Sequence, residues 1–99
     1  MTERTFLGLE DFTRACEWAA DNGFDVREAK YDGINFGYWS VQVSREGMRP
    51  RMIVWEARDY WVSVMVRDAD GDWQDDWLVK EPTHNTPREI LARLLPLTE

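Results

Sequence analysis

Cysteine occurs once, at Cys16, so neither an intrachain disulfide nor a multi-cysteine zinc site can form. Histidine also occurs once, at His84, and nothing in the pattern brings these two residues together as a nucleophile and its base. No segment approaches the ~20 apolar residues needed to cross a bilayer. The opening stretch MTERTFLGLEDF lacks the apolar run of a signal peptide. A cytoplasmic protein without membrane contact is the expectation. Internal repeats, low-complexity tracts, a glycine-rich phosphate loop, zinc-ligand spacing and a nucleophile elbow are all missing. No catalytic residue, metal or cofactor is therefore assigned. Basic residues are in deficit, 12 against 19 acidic, for a net charge of -7. Single-strand readers combine stacked aromatics with a positive groove. Here the aromatics stand in a negative field, which argues against nucleic acid and against an anionic membrane surface.

What the chain does contain is a hydrophobic share of 43% in 99 residues, enough for one core and one α+β domain over residues 1–99. The stretch from Arg51 to Lys80 holds four of the six tryptophans and the densest acidic run. Met52 to Ala57 and Tyr60 to Arg67 are rich in Val, Ile, Trp and Met and suit a pleated, half-buried surface. A turn at Arg58-Asp59 puts Ile53, Trp55, Ala57, Tyr60, Val62, Val64 and Val66 on one face. A turn over Asp68 to Gly71 adds Trp73, Trp77 and Val79 to that face, because Asp tolerates turn geometry and Gly supplies positive φ. Upstream, Asp32-Gly33 between alternating runs predicts a tight hairpin joining Phe24–Tyr31 to Ile34–Val43. SREGMRP reads as a loop.

Two helices flank these strands. Leu9 to Asn22 carries Leu9, Phe12, Cys16, Ala19 and Ala20 at helical spacing and stops at Gly23. Thr86 as N-cap, Pro87 at the first helical position and Glu89 closing a capping box start the second. Its stripe is Ile90, Leu91, Leu94 and Leu95. The simplest architecture is two-layered, with a five-stranded antiparallel meander, order 1-2-3-4-5, carrying both helices on one face.

That arrangement leaves the other face to water. By the same registers it carries Tyr31, Ile34, Phe36, Tyr38, Met52, Val54, Trp61, Met65 and Leu78. Around them stand polar groups that include Gln74, Asp76 and Lys80. An apolar centre within a polar ring describes a partner-binding patch. Candidate contact residues are Tyr31, Phe36, Tyr38, Val54, Trp61, Met65 and Leu78, with Asp68, Asp70, Asp72 and Asp76 to steer a basic partner. The acidic loop does not match a calcium site: Gly71 is the fourth residue from Asp68, where an EF-hand needs its Gly sixth. Glu28 and Asp75 are expected on the core face. The three arginines between Arg45 and Arg51 emerge at the same end as the aspartates, compensating them within one chain or meeting those of a second copy.

The functional expectation is a non-enzymatic, acidic protein-binding domain. An inhibitor or immunity-type partner of a basic protein, such as a bacterial toxin, fits this physics. A chaperone-like or structural homodimer is the alternative form of the same class. A small-ligand site or enzyme using a Trp-lined cleft is the alternative from another class.

Overall fold

A computed structural model describes residues 4–99. Its elements run α1 (Leu9–Asp21), β1 (Asp25–Asp32), β2 (Tyr38–Arg45), β3 (Met48–Glu56), β4 (Trp61–Arg67), β5 (Trp73–Val79) and α2 (Thr86–Leu94). The strands form one antiparallel meander in the order β1-β2-β3-β4-β5.

The helices form where apolar spacing and end chemistry agree. At the start of α1 the Asp11 carboxylate accepts the Gly8 amide at 3.0 Å. At its end Phe24 N–H reaches Ala19 O and Gly23 N–H reaches Ala20 O, with Gly23 at φ +82. This is the glycine-terminated wrap that returns Phe24 to the core. The buried stripe differs from the expected one: Ala15 and Ala19 are covered, with Phe12 and Cys16 partly so, whereas Leu9 and Ala20 face solvent. Helix α2 begins one residue earlier than expected, with Asn85 as N-cap. Thr86 Oγ instead accepts the Thr83 amide at 2.8 Å, and no capping box forms. Ile90, Leu91 and Leu94 point inward as expected.

One cluster joins Ala15 and Ala19 of α1 and Ile90, Leu91 and Leu94 of α2 to Trp39, Val41, Val43, Ile53, Trp55, Val62 and Val64 of the sheet. Through the middle of β2, β3 and β4 burial alternates residue by residue, and Trp39, Val41, Val43, Ile53, Trp55, Val62 and Val64 all belong to that cluster. Both helices therefore cover the same face.

The hairpin registers explain which sequence expectations moved. β3 and β4 pair as expected, Trp55 with Val62 and Ile53 with Val64, around a turn from Ala57 to Tyr60. β2 and β3 meet at a tight Glu46-Gly47 turn rather than a long loop, so Trp39 faces Trp55 and Val41 faces Ile53. Both pairs keep the apolar residues of β2 and β3 on the expected shared face. The β1–β2 hairpin changes more. Asp32 pairs with Tyr38, so residues 33–37 form the loop, and Asp32 Oδ1 accepts the amides of Ile34 and Asn35. A carboxylate that organises a longer turn has displaced the two-residue Asp-Gly turn.

Candidate functional site

The uncovered face is built from ladder levels that can be followed across the sheet. Lys30, Ser40, Val54, Ser63 and Leu78 form one level; Glu28, Gln42, Met52, Met65 and Asp75 form the next. At the end nearer the β3–β4 turn, Asp32 faces Tyr38 and Glu56 faces Trp61. None of these residues is buried; Leu78 is 41% exposed. Five of the expected contact residues, Tyr38, Val54, Trp61, Met65 and Leu78, share this face. Leu78 stands opposite Ser63, diagonal to Trp61 rather than across from it.

The remaining expected contacts lie elsewhere. Tyr31 pairs with Trp39, which turns it to the helix side, where its ring lies 5.8 Å from Phe12. The Asp32 turn lifts Ile34 and Phe36 out of the sheet; Ile34 is fully exposed and Phe36 sits at φ 60 with Arg58 over its ring. A bulge between Val64 and Met65 on β4, with Asp76 as the extra residue on β5, reverses part of that strand. Asp76 turns toward Arg51 at 3.1 Å, while Asp75 pairs with Met65 on the open face instead of pointing to the core. Trp73 pairs with Arg67, whose guanidinium lies over its ring. A second bulge beside Arg27 moves Glu28 to the open face, where it accepts from Gln42 at 2.9 Å and pairs with Lys30 at 3.0 Å.

The charges near the β4–β5 hairpin divide by job. Asp68 accepts the amides of Asp70 and Asp72, both at 2.9 Å, and the Gln74 side chain at 3.1 Å. The Asp72 amide, then the Gln74 amide, hold its carboxyl below the usual carboxylate range. It organises the turn by gathering backbone and side-chain donors. Asp70 and Asp72 project into solvent. Arg45 and Arg51 act within the chain. Arg51 bridges Glu99 at 2.7 Å and Asp76, and Arg45 donates to the carbonyls of Leu94, Leu95 and Leu97. Sequence reasoning missed Arg45 as the cap of α2, because the contact spans half the chain.

A depression of ≈ 390 Å³ lies on the open face between Val54, Trp61, Met65 and Leu78. Glu56 stands at its edge. Its Oε2 accepts the Trp61 indole N–H at 2.6 Å and the Ser63 hydroxyl, which sets the ring's orientation. Oε1 of Glu56 has no hydrogen bond among the described residues. On the opposite side of the molecule His84 Nδ1 lies 2.8 Å from Asp11 Oδ1. Asp11 is buried and holds the α1 start as well, so the pair ties the β5–α2 loop to α1. Burial, then Glu17, pushes the Cys16 thiol up, which keeps it protonated packing. No group of three His, Cys, Asp or Glu residues among those described is placed to hold a metal ion. No described helix is long and apolar enough to cross a membrane.

No family model, curated protein or solved structure matches this chain.

Proposed function

We propose that this is a non-enzymatic protein-binding domain whose open sheet face takes a basic partner. One observation carries the reading: both helices lie on the other face, leaving Trp61, Val54, Met52, Met65 and Leu78 uncovered by any described residue, with Tyr38 at their border packed against the core. Trp and Tyr are common interface anchors, and Met adapts to a partner's shape. The end of the face at Glu28 and Asp75 is acidic and continues into Asp70 and Asp72 of the β4–β5 loop. With a net charge of -7, that end steers positively charged surfaces toward the apolar centre. An inhibitor or immunity-type role toward a basic protein is the finer form of this proposal. In a pull-down, a basic protein should be retained by the wild-type chain. Retention should fall with added salt and with Trp61→Ala; indifference to both removes the proposal.

A homodimer is favoured by a different observation. Asp32 ends β1 and Lys80 directly follows β5, so the two stand at opposite edges of the sheet near the same end. A two-fold axis along the strands would set Asp32 of one copy over Lys80 of the other. Light scattering on wild type and Trp61→Asp distinguishes the two: a wild-type monomer excludes self-association.

A further inference from the structure

We propose that the depression beside Glu56 receives an arginine side chain of the basic partner; this rests on the protein-binding reading of the open face and names the anchor it recognises. Val54, Met65 and Leu78 supply an apolar floor and Trp61 an aromatic wall. Among the described residues no basic side chain lines it, while carboxylates stand at both ends, Glu56 near the β3–β4 turn and Asp75 near the acidic loop. Lys80 belongs to a separate hollow with Arg4, Tyr60 and Glu81, and Arg67 is engaged by Trp73 and by Gly71 O at 3.2 Å.

The state of Glu56 makes the site specific. Oε2 is saturated by Trp61 and Ser63, and this fixes the carboxylate with Oε1 unfilled at the rim of an apolar hollow. That oxygen is left without a donor among the described residues. A guanidinium corrects the deficit with one charge-assisted N–H···O bond. Its weak hydration and flat shape also let it lie against an indole, which an ammonium does less well. The aliphatic stem of an arginine covers Val54 and Leu78. Asp75 stands too far from Glu56 along the strands for one guanidinium to touch both, so it contributes field rather than contact. A partner residue entering here would leave the Trp61–Glu56–Ser63 network intact.

The test titrates the full chain, ¹⁵N-labelled, with N-acetyl-arginine methylamide and with its lysine and citrulline counterparts, following indole N–H resonances. Trp61→Phe identifies the Trp61 signal. The arginine derivative should shift that signal saturably, and the neutral citrulline derivative should bind about tenfold more weakly, the scale of one charge-assisted hydrogen bond. Glu56→Gln, which keeps an acceptor for Trp61 and Ser63, should reduce arginine binding to the citrulline level. Equal binding of citrulline or lysine, no saturable shift, or shifts centred on Asp70 and Asp72 would overturn the assignment. The wild-type comparison stands even where a variant folds poorly. A basic partner lost by Trp61→Ala yet bound normally by Glu56→Gln would leave the face as a docking surface and remove the arginine site.

Discussion

Two tryptophans with the same burial hold different stakes. Trp39 and Trp55 face each other on the core side of β2 and β3. Trp39 Nε1 donates to Leu7 O at 3.0 Å, whereas Trp55 Nε1 has no hydrogen-bond partner among the described residues. Trp55 is instead met edge-on by Phe6 and Tyr60. Changing either to Phe loses similar apolar area. Trp39→Phe also strands a carbonyl, whereas Trp55→Phe removes an unsatisfied donor, a difference of about 1–2 kcal/mol. Urea denaturation should therefore rank Trp39→Phe as clearly the more damaging. Phe36 offers the reverse case. A bulky residue at φ 60 costs about 1 kcal/mol, and its ring is 61% exposed, so packing recovers little. Phe36→Asn should raise the melting temperature, and any drop in partner retention would assign the ring to recognition. The alternation that places Trp39, Ile53, Trp55 and Val62 inside was legible residue by residue. The exit of Phe36 was not, because it follows from how Asp32 oxygens meet two amides in three dimensions.

At the level of elements, the β4–β5 hairpin depends on one carboxylate. Asp68 gathers the Asp70 and Asp72 amides, and its lowered pKa means the ionised form is the one that holds the turn. That contribution is present above the ordinary carboxylate range and fades as the pH falls through the depressed value. Asp68→Ala should speed amide exchange at Asp70 and Asp72 and lower the melting temperature while leaving the α2 amides protected. The turn itself was readable from Asp-Ala-Asp-Gly. The bulge that follows was not: nothing in Gln-Asp-Asp-Trp says which aspartate is the extra residue. Arg51, buried on the core side, draws Asp76 inward, and Asp75 is left on the open face. The bulge beside Arg27 likewise moves Glu28 outward, where Gln42 receives it. Capping of α2 shows the same limit. Thr86, Pro87 and Glu89 locate the helix, but the Thr83 amide captures the hydroxyl that would have capped it.

For the whole molecule, Arg51 joins the chain end to the sheet. Its side chain is 6% exposed, and its guanidinium meets Glu99 and Asp76, whose side chains keep some solvent. Hydrogen bonds from Arg51 hold the Glu99 carboxyl below the usual range. Arg51→Met removes a buried cation but leaves two acids that water can reach, so the cost should be about 2 kcal/mol, below that of a fully buried pair. Because the folded pKa of Glu99 is depressed, its stabilisation is full above the unfolded value of about 4.3 and disappears as the pH drops through the folded one. Glu99→Gln should accordingly lower stability by a constant amount above that range and flatten the acid limb of the stability curve, so that the two curves converge at low pH. On the open face, Trp61→Asp should fold normally, since the ring is only half-buried, and should still abolish partner retention.

The order of elements, the meander, the two helices and the alternating faces of β2, β3 and β4 were determined by the sequence alone. Local spacing of apolar residues selects period two or period 3.6, and short connections leave few topologies. Only the tertiary structure decided where the bulges fall, which aspartate pairs with Arg51, and that Tyr31 turns inward while Glu28 and Asp75 turn out. Those outcomes depend on residues distant in the chain competing for the same hydrogen-bonding groups, and a one-residue offset reverses every side chain beyond it.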